Sequence, residues 1–116
     1  MNDHPASRTF TFTIEQNGDV ALVRCAGRLV AGTTERFYTE IRSVIPQTRT
    51  IVLDFADVTH LDSTGIGTLV RLYVSAKSAG AALGLVNTGK SVRQLLGVTH
   101  LLTILESIGQ NHIRMG

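Results

Sequence analysis

The sequence predicts a single α/β domain with a mostly parallel sheet, helices packed against it, and one antiparallel hairpin at the N-terminal edge. Three observations carry that prediction. The dipeptide Asn17-Gly18 stands between two strand-like runs and is the strongest short-range hairpin signal. Beyond it, segments of helical apolar spacing alternate with short apolar runs, as in strand–helix–strand crossovers. The chain has 116 residues, 43% hydrophobic and 17% charged, which suits one packed core and argues against disorder. One domain over residues 1–116, with its core at about 9–106, is the expectation; no repeat, linker or low-complexity tract divides it.

Each element follows from local pattern. Residues 1–8 are polar and read as a frayed start. Phe10, Phe12 and Ile14 alternate with Thr11 and Thr13, the period of a half-buried strand. Residues 20–26 make the returning strand, and Gly27 ends it. After the turn Ala31-Gly32-Thr33, Phe37, Ile41, Val44 and Ile45 recur at helical spacing. Thr33 or Thr34 can accept from the first free amides of this helix, Glu35 suits its positive end, and Pro46 bars its continuation. Residues 51–53 are a continuous apolar run, as expected of a strand covered on both faces. From residue 63 to about 79, Ile66, Leu69, Val70, Tyr73 and Val74 fit one helical face, and Gly80 closes the helix. Residues 82–86 form another strand. A short helix holding Val92, Leu95 and Leu96 ends at Gly97, and residues 101–105 read as a last short strand.

Composition removes several function classes. The net charge is +2, with Arg71, Lys77, Lys90 and Arg93 scattered rather than clustered. Four Phe and two Tyr, none interleaved with a basic run, give direct nucleic-acid binding little support. Cys25 is the only cysteine, so no internal disulfide forms; it sits in an apolar run and reads as a small core residue. A cytoplasmic setting is the simplest expectation. The N-terminus lacks an apolar signal core, and no apolar run is long enough for membrane insertion.

Two motifs bear on chemistry. Residues 84–91, GLVNTGKS, satisfy the phosphate-loop formula letter for letter. That loop needs a flexible turn whose amides wrap a phosphate. Here Gly84 falls inside a strand pattern, and Leu85 and Val86 look like core. The better reading is a strand, a turn at residues 87–89, and a helix capped by Ser91 or Thr88. The second motif is THLDSTGIGTLV, residues 59–70. A nucleophile elbow needs glycine two places either side of the serine, and Leu61 occupies the first of those places. Nothing in the sequence places His4, His60, His100 or His112 on Ser63. His60 and His100 read as partly buried loop residues, and Asp54 and Asp57 as turn residues flanking a strand end. No metal-ligand spacing, cofactor motif or catalytic residue emerges.

Asp62-Ser63-Thr64 stands between a strand and a helix, at the carboxyl end of a parallel strand, where open α/β sheets put functional loops. Asp62 can cap the helix, but a cap needs one such side chain, not three. A hydroxyl at a helix N-terminus also suits phosphorylation, since free amides and the dipole stabilise the added charge.

The run IVLDFADVTHLDSTGIGTLV, residues 51–70, closely resembles the core signature of STAS domains, the sulfate-transporter and anti-sigma-factor-antagonist family. The resemblance extends from about residue 10 to 106 and includes SVRQLLGVTHL, similar to the family's third helix. It implies a regulatory binding module and not an enzyme. An anti-sigma factor antagonist binds a serine-kinase anti-sigma factor and so regulates sigma-factor-dependent transcription. The kinase phosphorylates the serine after the Asp of the motif, here Ser63, and a PP2C-type phosphatase resets it. Asp62 and Thr64 then shape the loop, and Gly65 and Gly67 let the partner approach closely. A homodimer is also compatible with the resemblance. Many antagonists carry an acid after the G-x-L that ends the second strand; here the run is Gly27-Arg28-Leu29-Val30. That departure makes an unphosphorylated accessory subunit of a lipid-transport complex, or a signalling scaffold, the alternative.

Overall fold

The structure, a computed structural model, describes residues 10–97. The start at residues 1–8, the expected strand at 101–105, the end of the expected core and His4, His100 and His112 lie outside the described residues. β1 (Phe10–Asn17) and β2 (Val20–Leu29) pair antiparallel, from Phe10 opposite Gly27 to Asn17 opposite Val20. Their loop is Gly18-Asp19, one residue later than Asn17-Gly18 suggests. Gly18 takes the first loop position with φ +62°, where an L side chain is strained, and Asn17 closes the ladder instead. The Asp19 carbonyl accepts from the amides of Arg49 (2.6 Å) and Thr50 (3.2 Å), which ties the hairpin to the next strand.

β3 (Thr50–Leu61) lies parallel to β2, and β4 (Ala82–Val86) parallel to β3, giving the sheet order β1-β2-β3-β4. Each crossover therefore steps the same way. Right-handed crossovers repeated in one direction put their helices on one face. α1 (Thr34–Val44) and α2 (Ser63–Ser78) share that face and pack on each other. Beneath them lie Ala21, Val23, Cys25, Ile51, Leu53, Phe55, Leu83 and Leu85, closed over by Phe37, Ile41, Leu69, Leu72 and Ala76. Phe37 meets Phe10 and Phe12 edge-on, with ring centroids 5.2 Å apart in each pair. Cys25 is the small core residue expected; burial, and then the Asp54 carboxylate, push its thiol far up from the usual range.

The strands run longer than the apolar runs suggest. Gly27 does not end β2; its φ of +100° absorbs a register shift, and pairing resumes to Leu29 opposite Leu61. β3 continues past residue 53 through two such shifts. Between Arg24–Asp54 and Ala26–Asp57, β3 uses three residues where β2 uses two; between Gly27–Val58 and Arg28–His60 it uses two where β2 uses one. Asp54 and Asp57 are thus strand residues, with the Asp54 carboxylate accepting from the Ala56 amide (2.9 Å) at the first bulge. His60 lies in β3 and is exposed, not a partly buried loop residue.

The helices also differ in detail. No side chain caps α1: the Thr33 hydroxyl accepts from the Val30 amide (3.0 Å) and faces the Arg28 and Val30 carbonyls, both at 2.9 Å. A 3-10 turn at Ile45–Gln47 carries Pro46. α2 buries Gly65, Thr68, Leu69, Leu72 and Ala76, a face turned away from the one expected; Val70 and Val74 point to solvent. Gly80, at φ +81°, follows its end. α3 (Lys90–Gly97) buries Val92. Ser91 is its second residue and not its cap.

Phe37 is fully buried, so Phe37→Ala is expected to cost about 3–5 kcal/mol, read from urea unfolding midpoints.

Candidate functional site

β3 and α2 are joined by one residue, Asp62. Its backbone is extended, with φ −115° and ψ −173°, as an N-cap requires. Its Oδ1 accepts from the Gly65 amide at 2.9 Å. Its Oδ2 accepts from the Ala31 amide, also at 2.9 Å. Its carbonyl accepts the first helical bond, from Ile66 at 2.9 Å. One carboxylate therefore caps α2 and binds the β2–α1 loop to it. That loop, residues 30–33, is itself held by the Thr33 hydroxyl and turns at Gly32, whose φ is +95°.

Desolvation is the largest influence on the Asp62 carboxyl and works upward. The amides of Ala31, Gly65 and Thr64, with its own, outweigh it together and hold the group below its ordinary value.

Gly65 is buried one turn into the helix. A Cβ there would collide with the Leu29 carbonyl oxygen and stand 2.7 Å from Leu61 Cδ1. The need for glycine at 65 arises inside the fold, where α2 lies against the end of β2. Gly67 is different: a Cβ there meets nothing within 4 Å. Ser63 and Thr64, the first two residues of α2, are exposed. Thus Asp62, Ser63, Thr64, Gly65 and Gly67 gather in little more than one helical turn. Asp62 and Gly65 fasten it; Ser63, Thr64 and Gly67 form its outer surface.

The other candidates stand apart. His60 sits opposite Arg28 in the sheet, and its Nδ1 lies 2.9 Å from Thr59 Oγ1; no hydrogen bond joins a histidine to Ser63 among the described residues. Gly84 is buried within β4, opposite Val52, and Leu85 and Val86 are buried beside it. Only residues 87–89 separate β4 from α3, with Asn87 at φ +59° making the turn. A cleft of about 440 Å³ lies between β1 and α1, lined by Phe10, Phe12, Thr33, Glu35 and Arg36 among others, and includes none of residues 62–67. Among the described residues no group of His, Cys, Asp and Glu is placed to hold a metal. Sequence reasoning missed Ala31, Leu29 and Thr33, because what they contribute is backbone or loop-internal; the glycine at 65 was the available signal.

Two pairs of variants test this geometry. Gly65→Ala is expected to cost upwards of about 2 kcal/mol, while Gly67→Ala, in open helix, is neutral or gains up to about 1 kcal/mol, both by chemical denaturation. Asp62→Ala is expected to cost about 1–2 kcal/mol near neutral pH. Because the folded carboxyl titrates below its unfolded value of about 4, the share of that contribution carried by the charge is present above the unfolded value and is lost as pH falls through the folded one. The stability gap between wild type and Asp62→Ala should therefore narrow on acidification and be flat from pH 5 to 7.

Comparison with known proteins agrees with this architecture. A family model for the STAS domain matches residues 11–114. The anti-sigma factor antagonist SpoIIAA in its unphosphorylated form superposes with a TM-score of 0.76 at 19% identity, over 91% of this chain and 98% of that one. An anti-sigma factor antagonist from Mycobacterium paratuberculosis gives 0.75 at 23%, over 90% and 88%. The murine anion transporter Slc26a9 contains a similar segment, with a TM-score of 0.64 at 22% identity, covering 72% of this chain and 14% of the transporter. At these identities the likeness is one of fold.

Proposed function

Because the chain belongs to the STAS domain family, we propose that it acts as an anti-sigma factor antagonist, a binding module switched by phosphorylation of Ser63. Unphosphorylated, it sequesters a serine-kinase anti-sigma factor and so frees a sigma factor for transcription. Phosphorylated, it lets the kinase go, and a PP2C-type phosphatase restores it. The observation that carries this reading is the exposed Ser63 at the first position of α2, beside a carboxylate fixed by two amides. The fold shared with two antagonists supports it.

The chemistry of the switch follows from Asp62. A phosphate adds about −1.5 to −2 charges at one point. The Ala31 and Gly65 amides, which a phosphate at a helix start would otherwise use, already serve Asp62. The new charge also stands next to that carboxylate. Repulsion turns it outward, towards the partner, rather than into the fold. A partner surface fitted to a neutral hydroxyl then faces a desolvated dianion, a penalty of several kcal/mol. Affinity changes without any change of fold being needed.

The β2–α1 loop favours a second reading. At Val30-Ala31-Gly32 it offers no charge to a kinase, and a similar segment occurs within an anion transporter. On that reading the chain is an accessory subunit of a lipid-transport complex or a scaffold, never phosphorylated.

Incubation with ATP and the serine-kinase anti-sigma factor separates the two. Phosphate is expected on Ser63 by mass spectrometry and absent in Ser63→Ala, and Ser63→Asp is expected to bind the kinase about 100-fold more weakly. Incorporation at another residue, or none together with Ser63→Asp binding like wild type, overturns the antagonist reading.

A further inference from the structure

Among the described residues, α2 carries one face on which no other element packs. Ser63, Gly67, Val70 and Val74 follow at spacings of four, three and four residues and so form one stripe along the helix. The buried face, through Gly65, Leu69, Leu72 and Ala76, lies on the opposite side. Val70 is 41% exposed and Val74 54%, the large hydrophobic side chains left open among the described residues. Single exposed valines are ordinary. Two of them on consecutive turns, in line with Ser63, make a patch.

Cations flank the patch on both sides. The Arg71 guanidinium lies over the Tyr38 ring of α1, 4.0 Å from its centroid, and Arg42 approaches the same ring at 5.9 Å. Across the stripe, Lys77 Nζ stands 5.9 Å from the Tyr73 ring. Stacking holds these long side chains in place without neutralising them. Among the described residues the ion pairs involve Arg24, Arg36 and Arg49, and no carboxylate meets Arg42, Arg71 or Lys77. α2 contains no acidic residue at all.

We propose that this stripe docks a protein surface with an apolar centre and carboxylates on both flanks, and that the serine-kinase partner of Ser63 carries that surface. The proposal rests on the antagonist reading and extends its contact about 16 Å along α2, from Ser63 to Val74. Charge complementarity sets the chemistry of the partner: cations that meet no carboxylate among the described residues, on either side of two valines, suit acids on either side of an apolar ridge. A lipid surface fits less well. Two valines insert little apolar area, and a net charge of +2 attracts anionic lipid weakly.

The test is the affinity of the full chain for the serine-kinase anti-sigma factor, by calorimetry at low and moderate salt. Val74→Glu and Arg71→Glu are each expected to weaken binding tenfold or more, and Val74→Ile to bind like wild type. Wild-type affinity should fall with salt, and that of Arg71→Glu should fall less. Both altered residues are exposed, and melting curves matching wild type confirm that folding is intact; Arg71→Gln and Val74→Ser serve if either charged variant unfolds. A kinase that binds wild type and both variants within about twofold overturns the docking face and leaves the Ser63 reading standing. A kinase that binds none of them overturns both. Binding of wild type to phosphatidylglycerol vesicles that both variants lose, with kinase affinity unchanged, assigns the patch to lipid and overturns the proposal.

Discussion

The carboxylate of Asp62 holds the β2–α1 loop and the start of α2 in a single arrangement, and the geometry of the site depends on it. It accepts from Gly65 in α2 and from Ala31 in the β2–α1 loop. Those bonds draw the helix start against the end of β2, close enough that only a glycine fits at 65 beneath the Leu29 carbonyl. Charge-assisted bonds of this kind are among the stronger ones a surface can make. The close approach and the carboxylate support each other: a side chain at 65 would push α2 away from Ala31, and a free Ala31 amide would leave α2 without its lateral tie.

This division of labour explains why so short a run holds so many polar and small residues. Asp62 and Gly65 are committed inward and set the position of the helix. Ser63, Thr64 and Gly67 are carried outward by it, on a surface that forms no part of the cleft between β1 and α1. Such a surface offers a hydroxyl to a visiting macromolecule more readily than it encloses a small substrate. Rigidity matters here, since the hydroxyl hangs from a helix that begins one residue after the central strand. A partner meets it already in place and spends little on ordering it.

Much of this was legible in the amino-acid order, and the exceptions have physical causes. The hairpin, the parallel crossovers, β4 and the extent of α2 follow from periodicity. The face of α2 does not. Its apolar residues are too many for one side, and Val70 and Val74 compete with Leu72 and Ala76 for the core; the latter pair close over the sheet. The apolar pattern marks β3 only at residues 51–53, because its later buried residues, Phe55, Val58 and Leu61, recur every third position rather than every second. Bulges erase the alternation by which a strand is recognised. Thr33 reads as a helix cap but spends its hydroxyl within the loop, where the Arg28 and Val30 carbonyls and the Val30 amide are nearer. Of the site, the side chains were visible in advance; their backbone partners, Ala31 and Leu29, are brought close only by the sheet.

The two bulges of β3 carry a consequence of parity. Side chains along a strand point alternately to one face and the other, so one inserted residue inverts everything downstream. Two insertions invert it twice. Val58, between the bulges, faces the core where an unbroken count from Leu53 would turn it away, and Leu61, beyond both, is back in phase. Only because the number of insertions is even does the strand deliver Leu61 inward and Asp62 to the rim. Evolution can lengthen or shorten this segment by pairs far more easily than by single residues, and the presentation of the hydroxyl at 63 is inherited from that arithmetic.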